Sequence, residues 1–341
     1  MCPHLSRLRN FHQSLKNAMQ LKTNTFKTLA DSAYLATEKH FKKTMKWEKT
    51  VSKDKDPEAL HQMRVGMRRL RTVVTEFAPA LNLPKSVSEK SIGKISRRLG
   101  SLRDLDVLKD TLQNTYQPHL PRKEQKSLST ALSTLDEQRL ETLADVRSIF
   151  KTKAYKSLKQ DLKQWLAEPT YQAIACLPIQ EVLPNLLSPE LSRFLLHPGW
   201  LFGTEVENSA IAILPPDKIE PILSHESDTL HSLRKEAKRV RYQMELFQDF
   251  YGQSYSAYLA DVTTIQEILG QIQDSVVLAE WLTDALDSDI KKLPTLLAQL
   301  KQNRFLAWQK WLPLQQRYLN SETQHHFHLT LLHPKQGVTD E

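Results

Sequence analysis

A histidine followed by closely spaced cations occurs twice in this sequence, at positions that differ by 170. The matched pairs are His61 and His231, Arg64 and Arg234, Arg68 and Lys238, Arg69 and Arg239, and Arg71 and Arg241. A guanidinium group can hold two phosphate oxygens at once, and a histidine adds a donor with a reference pKa of about 6.5. If the two stretches face each other, they predict a site for a strongly anionic ligand.

The same offset relates residues outside the cationic positions. Its further matched pairs are Phe77 and Phe247, Leu99-Gly100 and Leu269-Gly270, Asp104 and Asp274, and Val107-Leu108 and Val277-Leu278. A single spacing held over about 48 positions indicates an internal duplication. We therefore interpret the chain as two copies of one structural unit.

Helical periodicity separates the apolar and the cationic residues of each copy. At about 100° per residue, the apolar side chains form one stripe, which predicts the buried face of an amphipathic helix. That face comprises Leu60, Met63, Met67, Leu70, Val74 and Phe77 in the first copy and Leu230, Leu233, Ala237, Val240, Met244 and Phe247 in the second. The cations lie beside it, with Arg69 and Arg239 farther round. We expect them to line a groove between helices, where like charges are unfavourable until an anion binds.

The first copy reads as four helices with short connections. Asp56-Pro57-Glu58 combines an N-cap residue, a proline at the first helical position and an acidic first turn, and we expect this helix to run to about Leu81. Other helices are predicted over 22–53, 86–115 and 122–166. This order favours an antiparallel bundle.

The second copy begins less clearly, because residues 169–221 hold 8 of the 17 prolines. Proline interrupts helices, so we expect a degenerate first helix there. Further helices are predicted from Ser227, over 255–288 and over 291–319. The expected organisation is a first bundle over 1–166, a connector over 167–226, a second bundle over 227–320 and a poorly ordered, polar, histidine-containing tail over 321–341.

Bulk composition excludes several classes of protein. The chain is 40% hydrophobic and 25% charged, as in ordinary soluble proteins, and its 8 glycines form no phosphate-binding loop. Cys2 and Cys176 do not form a disulfide framework. No apolar stretch is long enough to cross a bilayer and no secretory signal is visible. We expect a cytoplasmic protein with no membrane partner.

The net charge of +8 is unevenly distributed. Residues 1–165 contain 33 basic and 17 acidic residues, giving +16, and the remainder has a net charge of −8. A block this basic attracts anionic partners, so we expect the first copy to supply most of the attraction. Lys42, Lys46 and Lys49 recur at near-helical spacing and would extend the cationic track.

Two further matched pairs lie in the third predicted helix of each copy. A glycine inside a helix lowers the stability of that helix by about 1 kcal/mol relative to alanine. Because glycine occurs at this position in both copies, as Gly100 and Gly270, it indicates close approach of helices or room for a ligand. Asp104 and Asp274 would either orient an arginine or histidine from behind the site or form plain structural ion pairs. A catalytic role for these carboxylates is disfavoured.

Four stretches of the sequence resemble signatures of the CHAD family, the conserved histidine α-helical domain. They are the runs from Asp56 to Arg71 and from Leu99 to Leu108, and their counterparts His231–Tyr242 and Leu269–Asp274. The resemblance spans roughly residues 20–320. It implies an all-α fold of two pseudo-symmetric antiparallel four-helix bundles around a basic central cavity that binds inorganic polyphosphate. The implied ligands are His61, Arg64, Arg68, Arg69, His231, Arg234, Lys235, Lys238 and Arg239, with Arg71, Arg241 and Tyr242 as weaker candidates. The copies differ where Val65 is matched by Lys235.

Three functions remain open from the sequence. The first is non-catalytic binding of polyphosphate, or of another polyanion, with no cofactor or metal, in a protein that would associate with polyphosphate granules. The second is nucleic-acid binding, although no aromatic platform for stacking bases is visible. The third is a metal-dependent enzyme acting on phosphates, although cations flank each histidine and disfavour a bound dication. The histidines from His325 to His333 would bind transition metals only adventitiously.

Overall fold

The computed structural model describes residues 27–54, 56–207, 210–225 and 228–335, and it is helical apart from one short hairpin. This confirms the predicted all-α class. The first half contains α1 (Leu29–Met45), α2 (Glu48–Lys53), α3 (Pro57–Glu76), α4 (Glu89–Asp110), α5 (Arg122–Ile149) and α6 (Lys153–Ala167). The second contains α7 (Ile179–Leu195), β1 (Thr204–Glu207), β2 (Ala210–Ile213), α8 (Pro216–His225), α9 (Asp228–Phe247), α10 (Gln253–Leu286), α11 (Pro294–Leu319) and α12 (Ser321–Leu332).

Helix α3 begins as predicted, because the Asp56 side chain accepts a hydrogen bond from the Glu58 backbone N–H at 2.9 Å and Pro57 occupies the first turn. It ends at Glu76, earlier than expected, and Leu81 pairs with Tyr171 in an isolated β-bridge. The predicted apolar stripes of α3 and α9 are buried throughout. Their burial confirms the predicted core faces of both motif helices.

Two predicted helices of the first half are interrupted. The expected helix over 22–53 is divided between α1 and α2 at Lys46-Trp47, and its residues before Lys27 lie outside the described part of the chain. The expected helix over 122–166 is two helices, because Thr152 caps a new one by accepting a hydrogen bond from the Tyr155 N–H.

The proline-rich connector holds a longer helix than expected. Helix α7 has 17 residues, the same length as α1, although Pro184 and Pro189 lie inside it. Pro189 is exposed and Pro184 half-buried, while the buried side of the helix packs against α9. Packing of that apolar face compensates for the stability lost with the backbone hydrogen bonds that the prolines remove. The expectation of a degenerate helix in this segment is therefore wrong. The hairpin β1–β2 follows and was not predicted.

The expected disorder of the tail is wrong for residues 321–332. Residues Ser321–Leu332 form α12, in which Phe327 and Leu331, one turn apart, are buried. The Phe327 ring stacks on Tyr258 with centroids 4.2 Å apart. This apolar pair attaches the helix to the second half, while His325 and His326 stay exposed. Residues 336–341 lie outside the described part of the chain.

The two halves repeat one order of packed helices and share one large buried core, and their apolar contacts include the following two. Neighbouring helices pack in the order α1, α3, α4, α5 and in the order α7, α9, α10, α11. At one contact, the matched residues Phe77 and Phe247 meet edge to face, with ring centroids 5.5 Å apart at the ends of α3 and α9. At the other, a separate apolar cluster joins the C-terminal end of α4 and the start of α5 to α10 and α11.

Candidate anion-binding site

A duplicated arginine–aspartate pair joins each motif helix to the helix that follows it. Arg64 Nη1 donates to Asp104 Oδ1 at 2.9 Å, and Arg234 Nη1 donates to Asp274 Oδ1 at 3.2 Å. About a quarter of each arginine side chain remains exposed. The carboxylates therefore fix each guanidinium group and leave part of it accessible, as the orienting role considered for these aspartates requires.

The repeated glycines make room for these same arginines. A Cβ added at Gly100 would lie 3.6 Å from Arg64 Nη2, and one added at Gly270 would lie 3.1 Å from Arg234 Nη2. Arg64 also donates to the Gly100 carbonyl oxygen at 3.2 Å. Each guanidinium group thus lies flat against the backbone of the next helix, which explains why glycine recurs at this position.

Arg68 crosses from the first half to the second. Its guanidinium group stacks on the ring of the buried Tyr242, 4.2 Å from the centroid, and Arg241 lies 5.6 Å from the same ring. Burial lowers the pKa of Arg68, and its Nε has no hydrogen-bond partner in the described part of the chain. Tyr242 thereby brings cations from both copies together.

Lys238 occupies the position in the second copy that Arg68 occupies in the first. It is half-buried, and none of the described carboxylates lies within ion-pair distance of its ammonium group. Burial lowers its pKa to about 8, with further lowering by Arg68, Arg234 and Arg64 against a weaker opposing effect of Asp104. The two motif helices therefore hold matched cations in one shared positive field.

Both motif histidines have lowered pKa values in the free protein. Burial is the main cause for His61, and Arg103, Arg68 and Arg64 lower its pKa further although Glu58 opposes them. Burial also dominates for His231, followed by Lys235 and Arg234, and its Nδ1 has no hydrogen-bond partner among the described residues. A bound phosphate would reverse the field that acts on both rings.

Other predicted ligands are engaged by carboxylates. Arg69 lies 3.6 Å from Glu245 and Arg241 lies 2.8 Å from it. Arg71 pairs with Glu89. Arg239 pairs with Glu236 on its own helix at 2.9 Å and with Glu190 on α7 at 3.5 Å. These pairs neutralise part of the predicted cationic surface.

The lysines predicted to extend the track are exposed, and the structure does not bring them to this cluster. Lys42 pairs with Glu38 at 2.8 Å, and Lys46 lies 5.0 Å from the centroid of the Trp47 ring. Lys49 and Lys235 are exposed. In the part of the chain that the structure describes, none of Lys42, Lys46 and Lys49 forms an ion pair with a carboxylate that also pairs with a predicted ligand.

Sequence reasoning missed two features beside the site. Arg97 on α4 lies over Gly93 together with Arg71. The sequence could have indicated it, because the residue 170 positions later is Glu267, so the charge at this position is reversed between the two copies. The buried Glu76 carboxylate accepts a hydrogen bond from Gln243 of the other half, and burial raises its pKa to about 7. The sequence carried no signal for this second contact.

The described residues contain no group of three or more histidines, cysteines, aspartates or glutamates placed to hold a metal ion. Among the described helices, none is long and apolar enough to cross a membrane.

Comparison with known proteins agrees with the fold. The family model of the CHAD domain matches residues 35–283. The crystal structure of the CHAD domain from the plant Ricinus communis is 20% identical, with a TM-score of 0.53 over 92% of this chain and 96% of that one. PptA from Streptomyces chartreusis is 13% identical, with a TM-score of 0.59 over 85% of this chain and 99% of that one. Both likenesses concern the fold, and no curated protein matched this sequence.

Proposed function

The chain belongs to the CHAD-domain family, and from that membership and the site geometry we propose that it binds inorganic polyphosphate between its two halves without catalysing a reaction. The observation that carries the proposal is the uncompensated charge of Arg68 and Lys238. These matched cations are half-buried near each other, and none of the described carboxylates pairs with either. Such an arrangement destabilises the free protein and is relieved when an anion binds.

The proposed ligand lies between two of the apolar contacts that join the halves. The motif helices meet at Phe77 and Phe247, and the second apolar cluster joins the far ends of α4, α5, α10 and α11. The cationic stripes run between these contacts. In this proposal the helix sets α1, α3, α4, α5 and α7, α9, α10, α11 act as two four-helix bundles around a basic central cavity.

The composition of the site favours polyphosphate over nucleic acid. A site for single-stranded nucleic acid normally offers free aromatic faces on which bases stack. Tyr242 is the aromatic residue at the centre of this cluster, and it is buried with Arg68 across its ring. Polyphosphate needs only repeated cationic contacts, which the arginines and lysines provide.

The same surroundings argue against a metal-dependent reaction. His61 lies in the field of Arg64, Arg68 and Arg103, and His231 in that of Lys235 and Arg234. A dication beside either ring would be repelled by these neighbours. We assign the histidines instead to hydrogen bonding with phosphate oxygens, together with the arginines that Asp104 and Asp274 orient.

A titration with long-chain polyphosphate over a range of salt concentrations tests the proposal. The test variant replaces Arg64, Arg68, Arg234 and Lys238 together by alanine. The control variant removes the same charge from exposed lysines on and just before α6, namely Lys151, Lys153, Lys156 and Lys163. We expect the test variant to lose affinity by at least about a hundredfold and to show a much shallower dependence on salt, because fewer counterions are exchanged on binding.

Equal affinity of the two quadruple variants would contradict the proposed site. A competition experiment separates the ligand classes: polyphosphate should displace RNA at far lower concentration than RNA displaces polyphosphate. If RNA displaced polyphosphate at the lower concentration, the hypothesis of nucleic-acid binding would be favoured. Phosphate release in the presence of divalent metal would contradict the non-catalytic assignment.

A further inference from the structure

Two guanidinium groups converge on one glycine of α4, outside the duplicated cluster. A Cβ added at Gly93 would lie 3.5 Å from Arg71 Cζ and 3.5 Å from Arg97 Nη1. Arg71 pairs with Glu89, whereas Arg97 is exposed and none of the described carboxylates pairs with it. Gly93 is buried beneath these two guanidinium groups, which form a cationic surface between α3 and α4, named the Gly93 groove below.

Exposed cations continue from this groove along α4. Lys90, Lys94 and Arg97 are exposed and follow one another at spacings of four and three residues, which places them on one face of the helix. The groove lies about 10 Å from the Arg64 contact at Gly100, because seven helical residues separate the two glycines and each adds about 1.5 Å. A polyanion would thus meet a continuous cationic path from the central cluster to the start of α4.

The second half lacks this path at the matched positions. Adding 170 gives Ala260, Thr264 and Glu267 in place of the three exposed cations, and Thr263 in place of Gly93. Arg241 pairs with Glu245 as the matched Arg71 pairs with Glu89, so the difference between the halves lies in the exposed cations of α4 and not in these two arginines. The exposed Glu267 would repel a polyanion there.

We propose, on the basis of the polyphosphate-binding function proposed above, that a long bound chain leaves the central site over the first half only, along a second anion-binding groove formed by Arg97, Lys94 and Lys90 beside the Glu89-paired Arg71. The central cluster takes matched cations from both halves, but the exposed cations beside it lie on α4 and are missing at the matched positions of α10. The groove at Gly93 accepts the overhanging phosphates, and Glu267 closes the equivalent path on the other side. The protein therefore discriminates polyphosphates by length.

Short and long ligands separate the groove from the central site. Tripolyphosphate is too short to reach both, so it reports on the central cluster alone. The test variant is Arg97→Glu, which gives α4 the residue found at the matched position of α10. The control is Lys163→Glu on α6, which makes the same charge change at another exposed position of the first half.

We expect Arg97→Glu to lower the affinity for long-chain polyphosphate about tenfold relative to Lys163→Glu, and to reduce the slope of log affinity against log salt by about one. Its affinity for tripolyphosphate should stay within about twofold of the control, which also shows that the variant is folded. The reciprocal variant Glu267→Arg should raise the affinity for long chains and leave that for tripolyphosphate unchanged.

An equal loss for both ligand lengths, or a loss for long chains no greater than in the control, would overturn the proposed groove. Wild-type protein that bound neither ligand would overturn the proposed function itself and this inference with it. The two failures are therefore distinguished by the behaviour of the wild-type chain.

Discussion

In the proposed complex with polyphosphate, we expect Lys238 to give binding a pH dependence that one substitution removes. In the free protein, burial and the neighbouring Arg68, Arg234 and Arg64 lower its pKa to about 8. A phosphate oxygen in contact with the ammonium group would return the pKa to its ordinary value of 10.5 or above. Because the pKa rises on binding, the complex takes up protons between these two values, and affinity falls as the pH increases.

The two pKa values determine the magnitude. At pH 7 the lysine is mostly protonated in both states, whereas at pH 9 it is mostly neutral in the free protein and charged in the complex. Linkage between these states predicts that affinity falls about tenfold from pH 7 to pH 9, or about 1.4 kcal/mol, and that about 0.9 proton is taken up per site at pH 9. Any proton uptake by the motif histidines is common to the wild type and to a variant altered only at Lys238, so a comparison of the two proteins isolates the lysine.

The matched variant is Lys238→Arg, since the first copy carries arginine at this position and arginine stays charged throughout the range. Affinities for long-chain polyphosphate should be measured at constant ionic strength at pH 7, 8 and 9. Titration calorimetry in buffers of different ionisation enthalpy then gives the number of protons taken up. We expect the wild-type affinity to fall about tenfold more than that of the variant.

Parallel pH profiles for the two proteins would refute the reasoning, because they would show that Lys238 does not change its protonation on binding. Binding without proton uptake at pH 9 would refute it independently. Either result would mean that the lysine is already paired in the free protein or does not contact the ligand.

Three further predictions concern stability and ligand binding. Lys238→Met should raise the free energy of unfolding at pH 7 by about 1 to 3 kcal/mol, because the charged lysine is unfavourable in its half-buried position. Denaturant unfolding should show that this gain shrinks from pH 8 to pH 10.5, because the unfolded state binds more protons than the folded state in that range. Gly270→Ala should weaken polyphosphate binding more than Gly100→Ala, because the new Cβ would lie 3.1 Å from Arg234 Nη2 in the first variant and 3.6 Å from Arg64 Nη2, an ordinary contact, in the second. Equal affinities of the two variants for polyphosphate would contradict this prediction. Because the pKa of Glu76 is raised in the folded state, its contribution to stability is present below pH 4.5 and is lost as the pH rises through about 7. The free energy of unfolding of the wild type should therefore fall by about 1 to 3 kcal/mol over this range, and this fall should be absent in Glu76→Gln.

Local rules predicted the parts of the fold that depend on neighbouring residues. The cap at Asp56 and the apolar stripe from Leu60 to Phe77 follow from hydrogen bonding and helical periodicity within one segment. The same rules failed for α7, where packing of a buried face outweighed two prolines. They also failed for α12, where the buried pair Phe327 and Leu331 holds a helix in a segment that reads as polar.

The sequence by itself determined that each copy carries a histidine and a row of cations beside a core face, because the 170-residue offset and the helical period are properties of the chain alone. Only the tertiary structure decided which cations stay uncompensated. Glu245 neutralises Arg241 and approaches Arg69, whereas Arg68 and Lys238 are left without a described carboxylate partner. The reason is physical: ion pairing depends on distances of a few ångströms between side chains of different helices, and those distances exist only once the helices have packed.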